Sequence, residues 1–220
     1  MPPAFVESAS PVTLVGGAAV APGALEQALE IAPFLVAADG GGEQALAAGY
    51  RPRAVIGDMD SLPQALADTL DPQTILAIAE QDSTDFDKAL RHTNAPLILA
   101  VGFTGGRIDH ELAMLNSLVR QPAGHVVVIG ADDLLFHAPR QFTIALAPGT
   151  RVSFFPLMSV TGRSDGLRWP IEGIAFAPGG RIGTSNEMAG DRLRWTFDGD
   201  GMLAILPRAQ LRSVVAALLA

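Results

Sequence analysis

The stretch from Gly57 to His110 decides the fold, and it contains three short polar clusters. They are Gly57-Asp58-Met59-Asp60-Ser61, Gln81-Asp82-Ser83-Thr84-Asp85-Phe86-Asp87-Lys88 and Gly105-Gly106-Arg107-Ile108-Asp109-His110. Each cluster follows an apolar run typical of a buried strand, and each precedes or opens a segment with helical spacing. Alternating strands and helices predict a parallel α/β sheet, in which the strand-to-helix turns leave the same edge. We therefore expect the three clusters to converge at that edge.

The acidic side chains of these clusters predict a metal-phosphate site. Two carboxylates about 4 Å apart repel by about 4 kcal/mol near a protein surface, so a site that gathers several of them requires a cation. Carboxylate oxygens are hard ligands of the kind that Mg²⁺ takes, together with water and phosphate oxygens. The aspartates concerned are Asp58, Asp60, Asp85 and Asp109. The alternative is that they only cap helices and form turns, as single aspartates often do.

Further strands and helices extend this pattern over the first half of the chain. Predicted strands cover residues 12–15, 34–38, 54–56, 74–79, 97–101 and 125–129, and predicted helices lie near 24–32, 43–48, 63–70 and 109–120. A further predicted helix is capped by Ser83 or Thr84 and continues through Leu90. The helix near 109–120 is expected to place Leu112, Leu115 and Val119 inward. The strand at 34–38 leaves through Asp39-Gly40-Gly41-Gly42, where glycines either permit close approach of a phosphate or simply form a tight turn.

The pattern changes after about residue 132, where short β-prone runs separated by glycine-rich turns replace the helical spacing until the final dozen residues. The runs cover residues 134–136, 142–146, 151–155, 193–197 and 202–206. Such runs are typical of an antiparallel β-sandwich. The predicted fold class is therefore α/β, with two domains. Residues 1–132 form a Rossmann-like, mostly parallel sheet with flanking helices, and residues 133–220 form an antiparallel β-sandwich.

Composition narrows the classes of function. A net charge of −8 and a pI near 4.9 argue against nucleic acid as a partner, which needs a basic face. Cysteine is absent, which excludes disulfides and thiolate chemistry and is compatible with the cytoplasm. No apolar run reaches the ~20 residues needed to span a bilayer, and the first residues lack the pattern of a signal peptide. Lys88 is the single lysine among 15 Lys and Arg residues, and it lies in the second cluster, by function or by chance.

The ordered motifs resemble those of thiamine pyrophosphokinases. They are Asp-Gly-Gly, Gly-Asp-Met-Asp-Ser, Asp-Ser-Thr-Asp-Phe-Asp-Lys-Ala-Leu and Gly-Gly-Arg-Ile-Asp-His, followed by Gly166-Leu167-Arg168-Trp169-Pro170 and Gly183-Thr184-Ser185-Asn186-Glu187. The resemblance covers roughly residues 36 to 206. It implies a homodimer that transfers pyrophosphate from ATP to the hydroxyl of thiamine, giving thiamine diphosphate and AMP. One departure from the family pattern is Met114, at a position where relatives often carry Asn.

The resemblance also implies roles for individual residues. Asp58, Asp60 and Asp85 would hold Mg²⁺, and these three with Arg107 and Asp109 form the expected catalytic set. ATP and its phosphates would lie against Asp39, Gly40, Gln81, Thr84, Lys88, Gly105 and Gly106. Thiamine would lie against Trp169, Ser185 and Asn186, close to the partner subunit.

Structural alternatives remain for three of these residues. Thr84 can be only a helix cap, Arg107 can form only an ion pair with Asp109, and Trp169 can be a core residue of the sandwich. Two other functions also remain open from the residues. One is a Mg²⁺-dependent phosphohydrolase or phosphotransferase that acts on another small alcohol, and the other is a non-catalytic nucleotide- or ligand-binding module.

Overall fold

The structure is a computed structural model that describes residues 4–60, 67–80 and 82–220. The chain forms two compact units. The first contains residues 1–117 and 128–131, and the second contains residues 118–127 and 132–220. Within the described residues, every helix is too short or too polar to cross a bilayer. Ser61, Gln81 and most of the helix predicted at 63–70 lie outside the described residues.

The first unit is built on five parallel strands with helices between them. In chain order its elements are β1 (Val6–Glu7), β2 (Val12–Val15), α1 (Ala24–Leu29), β3 (Phe34–Ala38), α2 (Gly41–Ala47), β4 (Ala54–Gly57), β5 (Ile75–Ala77), α3 (Asp85–Arg91), β6 (Thr93–Asn94), β7 (Ile98–Val101) and α4 (Ile108–Arg120). The strands lie in the order β7-β2-β3-β4-β5, and each neighbouring pair is parallel. β1 and β6 form a separate parallel pair. The predicted α/β architecture is confirmed.

The central strands are buried along their whole length, which explains their continuous apolar sequences. β5 covers residues 75–77 of the strand predicted at 74–79, and Thr74 belongs to the 3₁₀ turn Pro72–Thr74 that precedes it. The Asp71 carboxylate caps this turn by accepting a hydrogen bond from the Gln73 N–H at 2.9 Å.

The prediction that Leu112, Leu115 and Val119 form the inward face of α4 was wrong. Leu112 is 60% exposed, and Met114 and Leu118 are the buried apolar residues of this helix. Leu115 and Val119 are half-buried. Apolar residues occur on more than one side of α4, so their spacing predicts a helix without identifying the side that packs on the sheet.

The second unit consists of eight antiparallel strands and a terminal helix. These are β9 (Asp133–His137), β10 (Gln141–Ala145), β11 (Arg151–Pro156), β12 (Val160–Asp165), β13 (Ala175–Phe176), β14 (Gly183–Glu187), β15 (Arg192–Phe197), β16 (Met202–Pro207) and α5 (Leu211–Leu218). One group has the order β10-β15-β12-β13 and the other β14-β11-β16-β9, while β8 (Val126–Ile129) is divided between the two units.

Aromatic side chains from both groups of strands form the core of the second unit. The Trp195 ring of β15 lies 4.7 Å from the Phe142 ring of β10 and 5.3 Å from the Phe154 ring of β11. The indole N–H of Trp195 donates to the carbonyl of Pro139 at 2.8 Å, so this fully buried tryptophan leaves no polar atom unpaired. The predicted sandwich is confirmed, with two layers that share this core.

Candidate functional site

The acidic turns meet at one edge of the parallel sheet. Asp39 follows β3 directly, and Asp58 and Asp60 follow β4, the next strand in the sheet. One carboxylate oxygen from each of these three residues lies within 4.8 Å of the other two. The sequence pattern predicted that the acidic turns share one edge of the sheet. Because β3 and β4 are neighbouring strands, Asp39 lies next to Asp58 and Asp60.

Glycine at position 57 permits this meeting. A Cβ atom on Gly57 would lie 2.6 Å from the Cβ and 3.2 Å from the Cα of Asp39. The two acidic turns also contain non-glycine residues with positive φ, Asp39 at 37° and Met59 at 68°. Such conformations persist only where the surroundings impose them, and they are frequent at ligand sites.

We expect Gly57→Ala to lower the free energy of unfolding by about 1–3 kcal/mol, because the added methyl must push the backbone of residue 39 away from that of residue 57. Urea unfolding measures this change. Gly190→Ala is the matched control, since an added Cβ there meets no atom within 4 Å. Equal stability of the two variants would contradict the steric argument.

Burial and neighbouring carboxylates raise the affinity of Asp39 for a proton. Burial, the nearby Asp85 charge and a hydrogen bond with Asp60 raise the pKa of Asp39 to about 6. The three side chains offer oxygen donors alone, without nitrogen or sulfur, and their spacing suits a small hard cation. The donor set therefore fits Mg²⁺.

Lys88, on α3, is buried and pairs with carboxylates of this acidic region. Its ammonium nitrogen is 3.2 Å from Asp58 Oδ2 and 3.2 Å from Asp85 Oδ1, and its side chain is 2% exposed. Burial alone would lower the pKa of Lys88, but the hydrogen bonds to Asp58 and Asp85 outweigh it and the pKa is raised. Asp58 and Asp85 therefore come together through a common cation. Asp85 as a metal ligand stays a prediction.

Thr84 has the capping role that its position predicts. It is the N-cap of α3, where its hydroxyl oxygen accepts a hydrogen bond from the Asp87 N–H at 3.3 Å. Its side chain also lines the cavity described below, so the cap and a ligand contact are compatible.

Arg107 and Asp109 form the ion pair that the structural alternative predicts. Arg107 donates from Nε and Nη2 to the two carboxylate oxygens of Asp109, at 3.1 and 2.6 Å. The hydrogen bond from Arg107 lowers the pKa of Asp109 to about 2. Both side chains are largely exposed, at 70% and 62%, so Arg107 remains accessible to an anion from solvent.

Glu111 occupies the position expected for a phosphate. Its Oε1 accepts hydrogen bonds from the backbone N–H groups of Gly105 and Gly106, at 2.5 and 3.2 Å. Consecutive N–H groups that point at one oxygen form an anion-binding nest, made possible here by the positive φ of Gly105. The predicted phosphate-binding glycines thus hold a carboxylate from the first turn of α4.

We expect Glu111→Gln to tighten the binding of inorganic tripolyphosphate about three- to tenfold, because a neutral amide oxygen competes less strongly than a carboxylate for the two N–H groups. Isothermal titration calorimetry measures the Kd. Glu43→Gln is the control, since Glu43 lines the same cavity, whereas both N–H groups of the nest donate to Glu111. Weaker binding by Glu111→Gln, or equal tightening in both variants, would contradict this role.

A cavity of about 530 Å³ opens at this edge of the first unit. β2 is the point where the strand order reverses, with β3 on one side and β7 on the other, and ligands of α/β sheets bind at such points. Predicted site residues in the described wall are Asp39, Gly40, Thr84, Asp85, Gly106 and Arg107. Met114, the departure from the family pattern, also lines the cavity and is buried.

The predicted thiamine-binding residues lie together in the second unit. The Asn186 side-chain oxygen accepts a hydrogen bond from the backbone N–H of Trp169 at 3.2 Å, and its amide nitrogen donates one to the Trp169 carbonyl at 2.6 Å. Trp169 is 52% exposed, so it is not a core residue of the sandwich, a role that Trp195 has instead. Ser185, with φ of 61°, donates from its backbone N–H to the Ser153 hydroxyl at 3.0 Å.

The guanidinium of Arg168 lies over the Trp169 ring. The Arg168 guanidinium carbon lies 4.9 Å from the ring centroid, and Arg168 is held there by a 2.6 Å hydrogen bond to Glu187. An exposed indole in this arrangement can stack on an aromatic cation.

Comparison with known proteins identifies the family to which both parts of the chain are similar. A family model for "Thiamin pyrophosphokinase, catalytic domain" matches residues 25–129, and one for "Thiamin pyrophosphokinase, vitamin B1 binding domain" matches residues 139–200. The chain belongs to the thiamin pyrophosphokinase family.

Similar proteins come from plants, fungi and bacteria. "Thiamine pyrophosphokinase 1" of Arabidopsis thaliana is 30% identical over 170 residues, which cover 69% of this chain and 64% of that relative. The chain therefore matches just under two thirds of that relative's length. Thiamin pyrophosphokinase from Geobacillus thermodenitrificans is 25% identical with a TM-score of 0.69, over 90% of this chain and 96% of that one. Thiamin pyrophosphokinase from Candida albicans has a TM-score of 0.76 over 94% of each chain; at 15% identity it shows the fold alone.

Some residues at the site of this thiamin pyrophosphokinase family member were not predicted from the sequence. Glu43, Glu111 and the Phe86–Phe103 ring pair, 4.7 Å apart, all line the cavity. The one available signal was the place of Glu111 in the first turn of α4, within reach of the preceding glycines. Phe103 carried no signal, since a single aromatic after a strand is ordinary.

Proposed function

We propose that this protein transfers the pyrophosphoryl group of ATP to the hydroxyl of thiamine, giving thiamine diphosphate and AMP. The observation that carries the proposal is the convergence of Asp39, Asp58 and Asp60 beside a cavity in the unit that matches the family's catalytic domain. The exposed Trp169 in the unit that matches the vitamin B1 binding domain supports thiamine as the acceptor.

In the proposed reaction, the thiamine hydroxyl oxygen attacks the β-phosphorus of ATP. The bond from that phosphorus to the oxygen bridging the α- and β-phosphates breaks, and AMP leaves with that oxygen. A Mg²⁺ ion held by Asp39, Asp58 and Asp60 would neutralise phosphate charge and make the β-phosphorus more electrophilic. ATP would lie in the cavity against Gly40, Thr84 and Gly106.

Arg107 and Asp85 supply the remaining roles that we propose. The fork of Arg107 can exchange Asp109 for two phosphate oxygens and stabilise the charge that develops during transfer. Asp85 lines the cavity, whereas Asp109 is not among the described residues that line it, so we assign the late transfer of the hydroxyl proton to Asp85.

We also propose a homodimer in the cytoplasm, where ATP is available. Ile108 and Leu112 lie one turn apart on α4 and are 69% and 60% exposed, as expected for residues that a second copy would cover. Sedimentation velocity tests this assembly. A mass near 22.9 kDa at micromolar concentration would contradict it.

The deciding experiment incubates the protein with Mg-ATP with and without thiamine and identifies the nucleotide product. Thiamine-dependent AMP together with thiamine diphosphate supports the proposal. ADP with thiamine monophosphate would indicate a kinase that transfers one phosphoryl group. Thiamine-independent release of phosphate would indicate a hydrolase, and absence of turnover would favour a binding module.

A further inference from the structure

Lys88 lacks the exposure that a phosphate-binding lysine needs. It is 1% exposed, and it is not among the described residues that line the cavity. Within the described residues its ammonium pairs with two carboxylates, at 3.2 Å each, one on the turn after β4 and one at the start of α3. A lysine that binds phosphate needs an accessible ammonium, whereas this one is buried and paired with two carboxylates.

The position of Lys88 is set by the packing of α3. Phe86, Ala89 and Leu90 of this helix are buried, and the Lys88 stem is buried with them, so that its ammonium reaches the end of β4. Thr84 caps the same helix and fixes its first turn. The ammonium is therefore held by the fold and is not free to follow an incoming ligand.

We propose that Lys88 is a positioning residue that acts as a resident countercharge of the acidic site. It holds Asp58 and Asp85 in place when no metal is bound, and it weakens the binding of a divalent cation enough for the cation to exchange. The inference rests on the proposed metal site and deepens it, but it does not depend on thiamine or on ATP.

The argument is electrostatic. Asp58 and Asp85 pair with the ammonium, and Asp39 and Asp60 lie close to Asp58, so the metal-free site carries an excess of negative charge that Lys88 partly offsets. A divalent cation bound to Asp58 would lie close to the same ammonium and be repelled by it. Removal of the ammonium should therefore destabilise the metal-free protein and tighten metal binding.

The test is Lys88→Met, which keeps the length of the stem and removes the charge, with Lys88→Gln as a second neutral variant. Mn²⁺ binding is followed by electron paramagnetic resonance, and thermal unfolding is recorded in EDTA and in Mg²⁺. We expect the Kd for Mn²⁺ to fall about tenfold or more. We also expect the Tm in EDTA to fall, and the increase in Tm on addition of Mg²⁺ to exceed that of the natural protein.

Arg91→Met is the matched control. Arg91 is a cation of the same helix, but within the described residues its ion pair is with Glu80 at the surface. We expect its Kd for Mn²⁺ to stay within about twofold of the natural value. An equal tightening in Arg91→Met would overturn the proposal, because it would show a general effect of net charge.

A phosphate-binding lysine predicts a different result. In that case Lys88→Met would weaken binding of tripolyphosphate in EDTA and leave the Kd for Mn²⁺ unchanged, which would overturn the proposal. If the neutral variants are unfolded in EDTA, circular dichroism during a Mg²⁺ titration replaces the Tm. Recovery of the fold supports the countercharge role, and no recovery at saturating Mg²⁺ overturns it. All of these readouts stay interpretable if the transferase assay fails.

Discussion

Asp60→Asn is expected to lower kcat/KM for pyrophosphoryl transfer by about 10²–10³-fold while the protein stays at least as stable. The substitution removes one of three converging carboxylates, and hence a charge that would hold the cation on the phosphates. It also relieves repulsion with Asp39 and Asp58, so the free energy of unfolding in EDTA should not decrease. Coupled assay of AMP and urea unfolding measure the two effects.

Asp71→Asn is the matched control for this prediction. Asp71 belongs to the same unit, and its carboxylate caps the 3₁₀ turn before β5, a role that an asparagine oxygen can keep. We expect activity within about twofold of the natural protein. If Asp60→Asn retained kcat/KM within threefold, the acidic edge would not be the site of metal-assisted transfer.

Trp169→Ala is expected to raise the KM for thiamine about thirtyfold and to leave the KM for ATP nearly unchanged. Stacking of a cationic ring on an indole contributes about 2 kcal/mol when the pair is shielded from water. The side chain is 52% exposed, so its loss should have little effect on the free energy of unfolding. Kinetics with one substrate varied at a time distinguishes the two KM values.

Met158→Ala provides the comparison in the same unit, since Met158 is an apolar side chain of similar exposure, 56%. Its truncation should change neither KM. Equal increases in the KM for thiamine and for ATP in Trp169→Ala would show that this residue affects the site only indirectly.

Periodicity predicted most of the fold because it reports which side of each element is buried. β10 and β15 alternate buried and exposed residues, and their apolar patterns identified both strands. β12 and β14 were missed, since Val160–Asp165 and Gly183–Glu187 contain few apolar residues. β12 forms through hydrogen bonds to β15 and β14 through hydrogen bonds to β11, and pairing with a distant strand leaves no local signal.

The sequence predicted which residues form the candidate site better than it predicted which of them contact one another. The acidic turns and the glycine pair were evident, but Asp39 was expected to contact ATP rather than to join Asp58 and Asp60. Lys88 was expected to bind phosphate, and it instead pairs with two carboxylates. Partners such as these depend on which strands are neighbours and on how α3 packs, and both are set by long-range contacts.

The sequence by itself determined the alternation of buried strands and helices, the change to short antiparallel strands near residue 132, and the placing of acidic residues at strand ends. These features follow from local propensity and from the burial of apolar side chains. Only the tertiary structure decided that β3 lies beside β4, that Gly57 brings Asp39 against the second acidic turn, and that Glu111 occupies the glycine nest. The reason is physical: strand order and side-chain partners are chosen by packing of the whole unit, where residues distant in sequence compete for the same space and the same hydrogen bonds.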